Sequence, residues 1–230
     1  MKLTILAATG GIGRHLLTQA VAAGHDVTVV VRTPARLADP AGSGRAPAGV
    51  RVVRADLAVA DPAELQSAVA GSDAVLSGLG ARSSAEAGVA WRGTRAVITA
   101  MREVGARRLI VVSAAPIGAV PSPARPRPPR HDPGDGFFMR HLAAPLTRAA
   151  LRTHYADLAR MEDEIRAGGL DWTIVRPPRL TDRPLTRDYR TAYGRNLRRG
   201  LSVARADVAH CMLGLVDRPD SVHRTVGIAD

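Results

Sequence analysis

The sequence predicts an α/β fold, a doubly wound parallel sheet covered by helices, and three observations predict it. Seven strand-like runs, at residues 3–8, 27–31, 50–54, 74–79, 108–113, 172–175 and 225–228, alternate with helical stretches, the order in which crossover helices lay strands side by side. The run at 27–31 is continuous and β-branched, as a strand buried in a parallel sheet must be. A glycine turn, Thr9-Gly10-Gly11-Ile12-Gly13, follows the first run directly. A length of 230 residues suits one such domain, spanning 1–230, which would bury roughly 70–75% of the unfolded chain's surface.

The first strand, turn, helix and second strand build a dinucleotide pocket. A pyrophosphate held at a helix N-terminus needs backbone N–H groups and close backbone approach, so Gly10 and Gly11 carry no side chain. Gly13 lets the helix lie close on the strand, and Thr9 and Ile12 complete the turn. The dinucleotide pattern places a first glycine at position 7, where this chain has Ala7. At the end of the second strand, where an acidic residue would grip the ribose 2′-hydroxyl of NAD, stand Arg32 and, one turn on, Arg36. Cations there suit the 2′-phosphate, so NADP(H) is preferred over NAD(H).

The third run leads into Asp56-Leu57, and Asp61-Pro62-Ala63-Glu64 reads as an N-cap, a proline at the first helical position and a glutamate able to close a capping box. The fourth run ends in Ser77-Gly78-Leu79-Gly80 and the fifth in Ser113-Ala114. After it comes a Pro/Arg-rich loop at about 115–145, in which the stretch 121–133 carries prolines at 121, 123, 126, 128, 129 and 133, so that stretch is neither helix nor central strand. Phe137, Phe138 and Met139 within it favour a lid over the ligand crevice. Tyr155, Asp157 and Glu162 share helical spacing, and a solvated face accounts for the two acids as well as a functional one does. The last helix covers 206–216 and holds Cys211, the single cysteine, which reads as a buried, inert thiol and excludes an intrachain disulfide.

Composition narrows the function. A net charge of +11 raises nucleic acid as a partner, but all the basic residues except Lys2 are arginine and aromatics are only 3%, leaving few stacking platforms. Nucleic-acid binding is disfavoured. The seven histidines show no metal-ligand spacing, so no metal is expected. No apolar run reaches eighteen residues, and the N-terminus enters a strand at once. The expectation is a soluble, cytoplasmic monomer or homodimer acting on a small-molecule substrate, away from membranes.

With the glycine turn, Arg32, Asp56-Leu57, Ser77 to Gly80 and Ser113-Ala114 in hand, the chain resembles the atypical, or extended-type, short-chain dehydrogenase/reductases. Among them it is most similar to the NmrA-like NAD(P)H-binding proteins and the biliverdin-IXβ/flavin reductases. More specific support lies in Gly169-Leu170-Asp171-Trp172-Thr173-Ile174-Val175-Arg176-Pro177-Pro178, then Leu180-Thr181-Asp182, then Arg205-Ala206-Asp207-Val208-Ala209. The resemblance spans nearly the whole chain and implies a Rossmann-type sheet with a small C-terminal extension, its substrate-side segments at about 176–204. It also implies that Asp56 and Leu57 flank the adenine, that Gly78, Leu79 and Gly80 run under the second ribose and nicotinamide, and that Pro177 and Pro178 wall the nicotinamide pocket. Ser113 would stand beside the nicotinamide and bond the acceptor's oxygen, and Tyr155 would supply or relay a proton.

One departure limits the chemistry. Ketone-reducing relatives use a tyrosine and a lysine four residues on, yet here Tyr155 is followed at that spacing by Ala159 and His154 by Leu158. Reducing a ketone creates an alkoxide whose conjugate acid has a pKa of about 15.7. A quinone or flavin gives a delocalised anion with a pKa of about 10 or lower, so it needs about 7 kcal/mol less charge stabilisation. The lysine-free site therefore favours NADPH-dependent reduction of a conjugated acceptor: a quinone, a flavin or a polyketide-like aromatic. The alternative is a non-catalytic NADP(H) sensor of the NmrA-like type acting through a protein partner. A sugar-nucleotide epimerase is disfavoured, because it normally needs the same missing pair.

Overall fold

The computed structural model describes residues 1–37, 47–57, 59–81, 83, 86–132, 134 and 151–230. Its central sheet contains β1 (Lys2–Leu6), β2 (Asp26–Val31), β3 (Arg51–Arg54), β4 (Ala74–Ser77), β5 (Arg108–Val112), β6 (Asp171–Arg176), β8 (Arg190–Tyr193) and β10 (Arg224–Ala229) in the order β3-β2-β1-β4-β5-β6-β10-β8. Every pairing is parallel except β10 with β8. A separate parallel pair joins β7 (Arg179–Thr181) to β9 (Ser202–Ala204). This is the Rossmann-like architecture the sequence predicts, with all seven expected runs present as strands.

Strand alternation feeds two cores. Leu6, Val30, Val75, Leu109 and Val111 face one layer, with α2 (Pro62–Val69), α3 (Val89–Glu103) and α4 (Arg152–Ala167) covering them. Ile5, Val29, Leu76, Ile110 and Val175 face the other, under α1 (Gly11–Ala22) and α5 (Arg205–Gly214). Burying each such side chain contributes about 1.5–3 kcal/mol, which explains why strands apolar on both faces settle here. Asp61 caps α2 by accepting from the Ala63 N–H at 2.8 Å. Cys211 is buried on α5, and burial pushes its thiol up to about 12, as expected of an inert thiol.

Several expectations change. The runs at 3–8, 74–79 and 108–113 leave the sheet early, at Leu6, Ser77 and Val112. The strands β7, β8 and β9 were not anticipated. Asp157 and Glu162 are not on a solvated face: they are 5% and 0% exposed, because Asp157 satisfies donors at the start of a neighbouring helix and Glu162 satisfies donors at the ends of β5 and β6. Asp157 accepts from the backbone N–H groups of Gly88, Ala90 and Trp91 at 2.9, 3.2 and 3.0 Å, capping α3 from α4. The proline-rich segment is tied to α4 where Asp163 accepts from the Ser122 hydroxyl at 2.9 Å and the Ala124 N–H at 3.0 Å. The expected lid residues Phe137, Phe138 and Met139 lie outside the described residues. Among the described residues no helix is long and apolar enough to cross a membrane.

Candidate functional site

The strand order reverses between β1 and β4, and in open α/β sheets that switch point opens a ligand crevice at the carboxyl ends of the strands. The glycine turn forms its floor. Ala7 takes a left-handed backbone, φ 56°, which is why the dinucleotide pattern prefers glycine there. Its carbonyl accepts from the Gly10 N–H at 2.8 Å. A Cβ on Gly13 would stand 2.2 Å from the Ala7 carbonyl oxygen, so only glycine lets α1 lie this close to β1. On the other side Gly78 abuts the Gly13 backbone, where an added Cβ would be 3.2 Å from its nitrogen.

The N-terminus of α1 suits an anion. Gly10 supplies no side-chain cap, and the first turn holds no acidic residue, leaving the turn's backbone donors and the positive end of the helix dipole to a ligand. A residue missed in the sequence also reaches this turn: the Arg205 side chain, from the start of α5, lies against Gly11, with Cδ and Nε each 2.8 Å from where a Gly11 Cβ would be. Its Nη1 donates to Asp182 at 2.8 Å. Nearby His15 is pushed down in pKa, first by burial and then by the charges of Arg14 and Arg205, with Asp182 pulling the other way. The signal for Arg205 was in the sequence, since it opens one of the two specific C-terminal blocks, but no local pattern says that α5 folds back over the turn.

A cavity of about 390 Å³ opens beside the turn, lined by Ala7, Thr9, Arg32, Thr33, Arg36, Asp56, Leu57, Leu79, Gly80 and Glu86, among others. The ends of β1 to β4 bring Thr9, Arg32, Arg36, Asp56, Leu57, Leu79 and Gly80 together around this cavity. Unforeseen is Glu86, before α3. Arg32 Nη2 donates to its Oε1 at 2.6 Å, and this bond, with the charges of Glu86 and more weakly Asp56, raises the Arg32 pKa against the effect of burial.

Ser113 follows β5 directly and belongs to a second, buried cluster. Its N–H donates to the Val175 carbonyl at 2.8 Å, and its hydroxyl to Glu162 Oε1, also at 2.8 Å. Arg176 grips the same carboxylate through Nε at 2.9 Å and Nη2 at 2.5 Å, and Arg166 adds a bond at 2.8 Å. Burial alone would raise the Glu162 pKa, but the arginine charges, their hydrogen bonds and the Ser113 hydroxyl together hold it low. An ionised carboxylate only accepts, so the Ser113 proton is engaged and its oxygen offers a ligand its lone pairs. Pro177 is buried, its carbonyl accepting from the Ala115 N–H at 2.9 Å, and Pro178 is half-buried beside it.

Tyr155 lies in the hydrophobic core, 7% exposed, with Leu158 and Ala159. The preceding residue, His154, stands on the crevice side: its Cε1 is 3.9 Å from where a Gly80 Cβ would be. Burial pushes the imidazole down in pKa, opposed by Asp157, which favours the neutral ring. A shift of one position on a helix turns a side chain by about 100°, and the sequence alone did not fix which of the two faces the crevice.

Glycine turn, a helix start without a side-chain cap, switch-point cavity and a cation just past the second strand together define a dinucleotide-binding α/β protein. The model of the NAD(P)H-binding family matches residues 7–219, and the chain belongs to that family. No curated protein matches it by sequence. Among solved structures it is similar to a Rossmann-fold NAD(P)-binding family protein from Shigella flexneri (24% identity, 100% of this chain and 93% of that one, TM-score 0.68). It is also similar to ChuY, an anaerobilin reductase from Escherichia coli O157:H7 (21%, 100% and 97%, 0.73). A third is a wide-type short-chain dehydrogenase/reductase from Veillonella parvula in complex with NADP (18%, 100% and 94%, 0.75).

Proposed function

We propose that this chain, as a single cofactor-binding unit, is an NADPH-dependent reductase of a conjugated small-molecule acceptor such as a quinone, a flavin or a polyketide-like aromatic. The observation that carries the reading is the pairing of a fitted dinucleotide crevice with an α4 that has no lysine: Leu158 and Ala159, the positions four after His154 and Tyr155, are both core residues. A reduced dinucleotide, when bound, supplies a hydride. Gly10, Gly11, Ile12 and Gly13 would take its pyrophosphate, Arg32 and Arg36 its 2′-phosphate, and Asp56 and Leu57 its adenine. Gly78, Leu79, Gly80, Pro177 and Pro178 would shape the far pocket.

The protein's own share of the chemistry is modest, which suits an acceptor whose reduced form is a stabilised anion. Ser113 would accept a hydrogen bond from the ligand. The proton-handling role expected of Tyr155 falls to His154, whose neutral ring both donates and accepts, with Tyr155 as the packing that fixes it. The likeness to an anaerobilin reductase and to an NADP complex supports this reading.

The test is loss of NADPH absorbance with a panel of quinones and flavins: turnover above background is expected, and none with any acceptor would overturn it. The buried Tyr155 and the engaged Ser113 proton favour one second reading, a sensor that binds NADP(H) and reports it to a protein partner. Tight binding without turnover, with a partner recovered in one redox state only, would select it.

A further inference from the structure

We propose that Glu86 sets how strongly the cavity favours a 2′-phosphorylated dinucleotide, as an internal counter-anion on Arg32 that the phosphate has to displace. The inference rests on the NADP(H) reading of the cavity and adds a specificity residue to it.

Glu86 and Arg32 line the same cavity, and Glu86 Oε1 holds Arg32 Nη2 at 2.6 Å. Both side chains keep access to water, at 24% and 44% exposed. With Arg36 and Asp56 also lining it, two cations and two carboxylates meet there among the described residues, so these side chains pull less on an anion than the chain's net charge of +11 suggests.

The chemistry of the carboxylate decides its effect. A 2′-phosphate carries about −1.5 to −2 charges and only acceptor oxygens when ionised. Glu86 is likewise acceptor-only, so it cannot bond that phosphate and competes with it for the guanidinium. A free ribose 2′-hydroxyl is a donor, and Glu86 can accept from it. The same residue thus opposes NADPH and tolerates NADH. Arg32 supplies the phosphate preference, and Glu86 limits it.

The experiment is calorimetric titration of the full chain with NADPH and NADH, for the native protein, Glu86→Gln, Arg32→Ala and the double variant. Glu86→Gln keeps the side chain's shape and removes its charge. It is expected to tighten NADPH about three- to fivefold and leave NADH unchanged or weaker, and the gain should largely vanish in the Arg32→Ala background. Titration with 2′,5′-ADP against 5′-AMP should repeat the pattern on the phosphate end alone. Weaker NADPH binding in Glu86→Gln, equal changes for both cofactors, or a full gain without Arg32 would each overturn the inference while the cofactor reading stands. Failure of the native protein to bind either dinucleotide would overturn both.

Discussion

Two arginine–glutamate pairs sit about the crevice, and their difference separates what holds the fold from what a ligand can move. Arg176 and Glu162 are 7% and 0% exposed, joined by two hydrogen bonds and completed by Arg166 and Ser113. Arg32 and Glu86 share one bond, and both are partly open to water. In the first pair desolvation is severe, so the pair persists only because every acceptor site on the carboxylate is used. In the second, solvent screening leaves the bond worth at most about 1 kcal/mol, within reach of an incoming anion. A buried pair is architecture, and an exposed one lining a cavity is a switchable charge.

The largest expected effect breaks the buried pair. Glu162→Ala should lower stability by about 3–5 kcal/mol in urea unfolding, because it strands Arg176 in the core. Glu162 also carries an acid dependence. Its folded pKa is depressed, so its contribution is full above the unfolded carboxylate value and lost as pH falls through the lower, folded value. Acid unfolding of Glu162→Gln should accordingly show a shallower pH slope below about 4.5.

Next comes the turn between the two pairs. Gly13→Ala drives a methyl into the Ala7 carbonyl, and a cost of about 1–3 kcal/mol in stability is expected, with loss of both NADPH and NADH binding by calorimetry. Arg205→Met removes a cation from the glycine turn, which both cofactors share, so it should weaken both by the same factor, about three- to tenfold. Unequal losses would place Arg205 elsewhere. The smallest effect is Ala7→Gly, which relieves the left-handed backbone and should raise the thermal midpoint, for a gain of about 1 kcal/mol.

The seven main strands were legible because burial on both sheet faces forces apolar runs, and the glycine turn because close approach excludes side chains. The run at 27–31 became β2 nearly residue for residue. The strands β7, β8 and β9 were not legible: they are three or four residues long, and Arg179 and Arg190 are exposed. Arg32 and Arg36 could be read as cations, but Glu86 could not be assigned to Arg32, since 54 positions separate the two and only the tertiary fold brings the segment before α3 to the end of β2. Asp157 and Glu162 misled for a similar reason. Helical spacing says which residues share a face, and only the packed neighbour says whether that face meets water or unsatisfied donors.

The cofactor claim is tested most directly by titrating native protein and Arg32→Ala with NADPH and NADH in a calorimeter. Native protein should bind NADPH more tightly than NADH, and Arg32→Ala should lose about ten- to a hundredfold for NADPH alone. Equal affinity for the two dinucleotides, or an Arg32→Ala variant that binds NADPH as the native protein does, would contradict it.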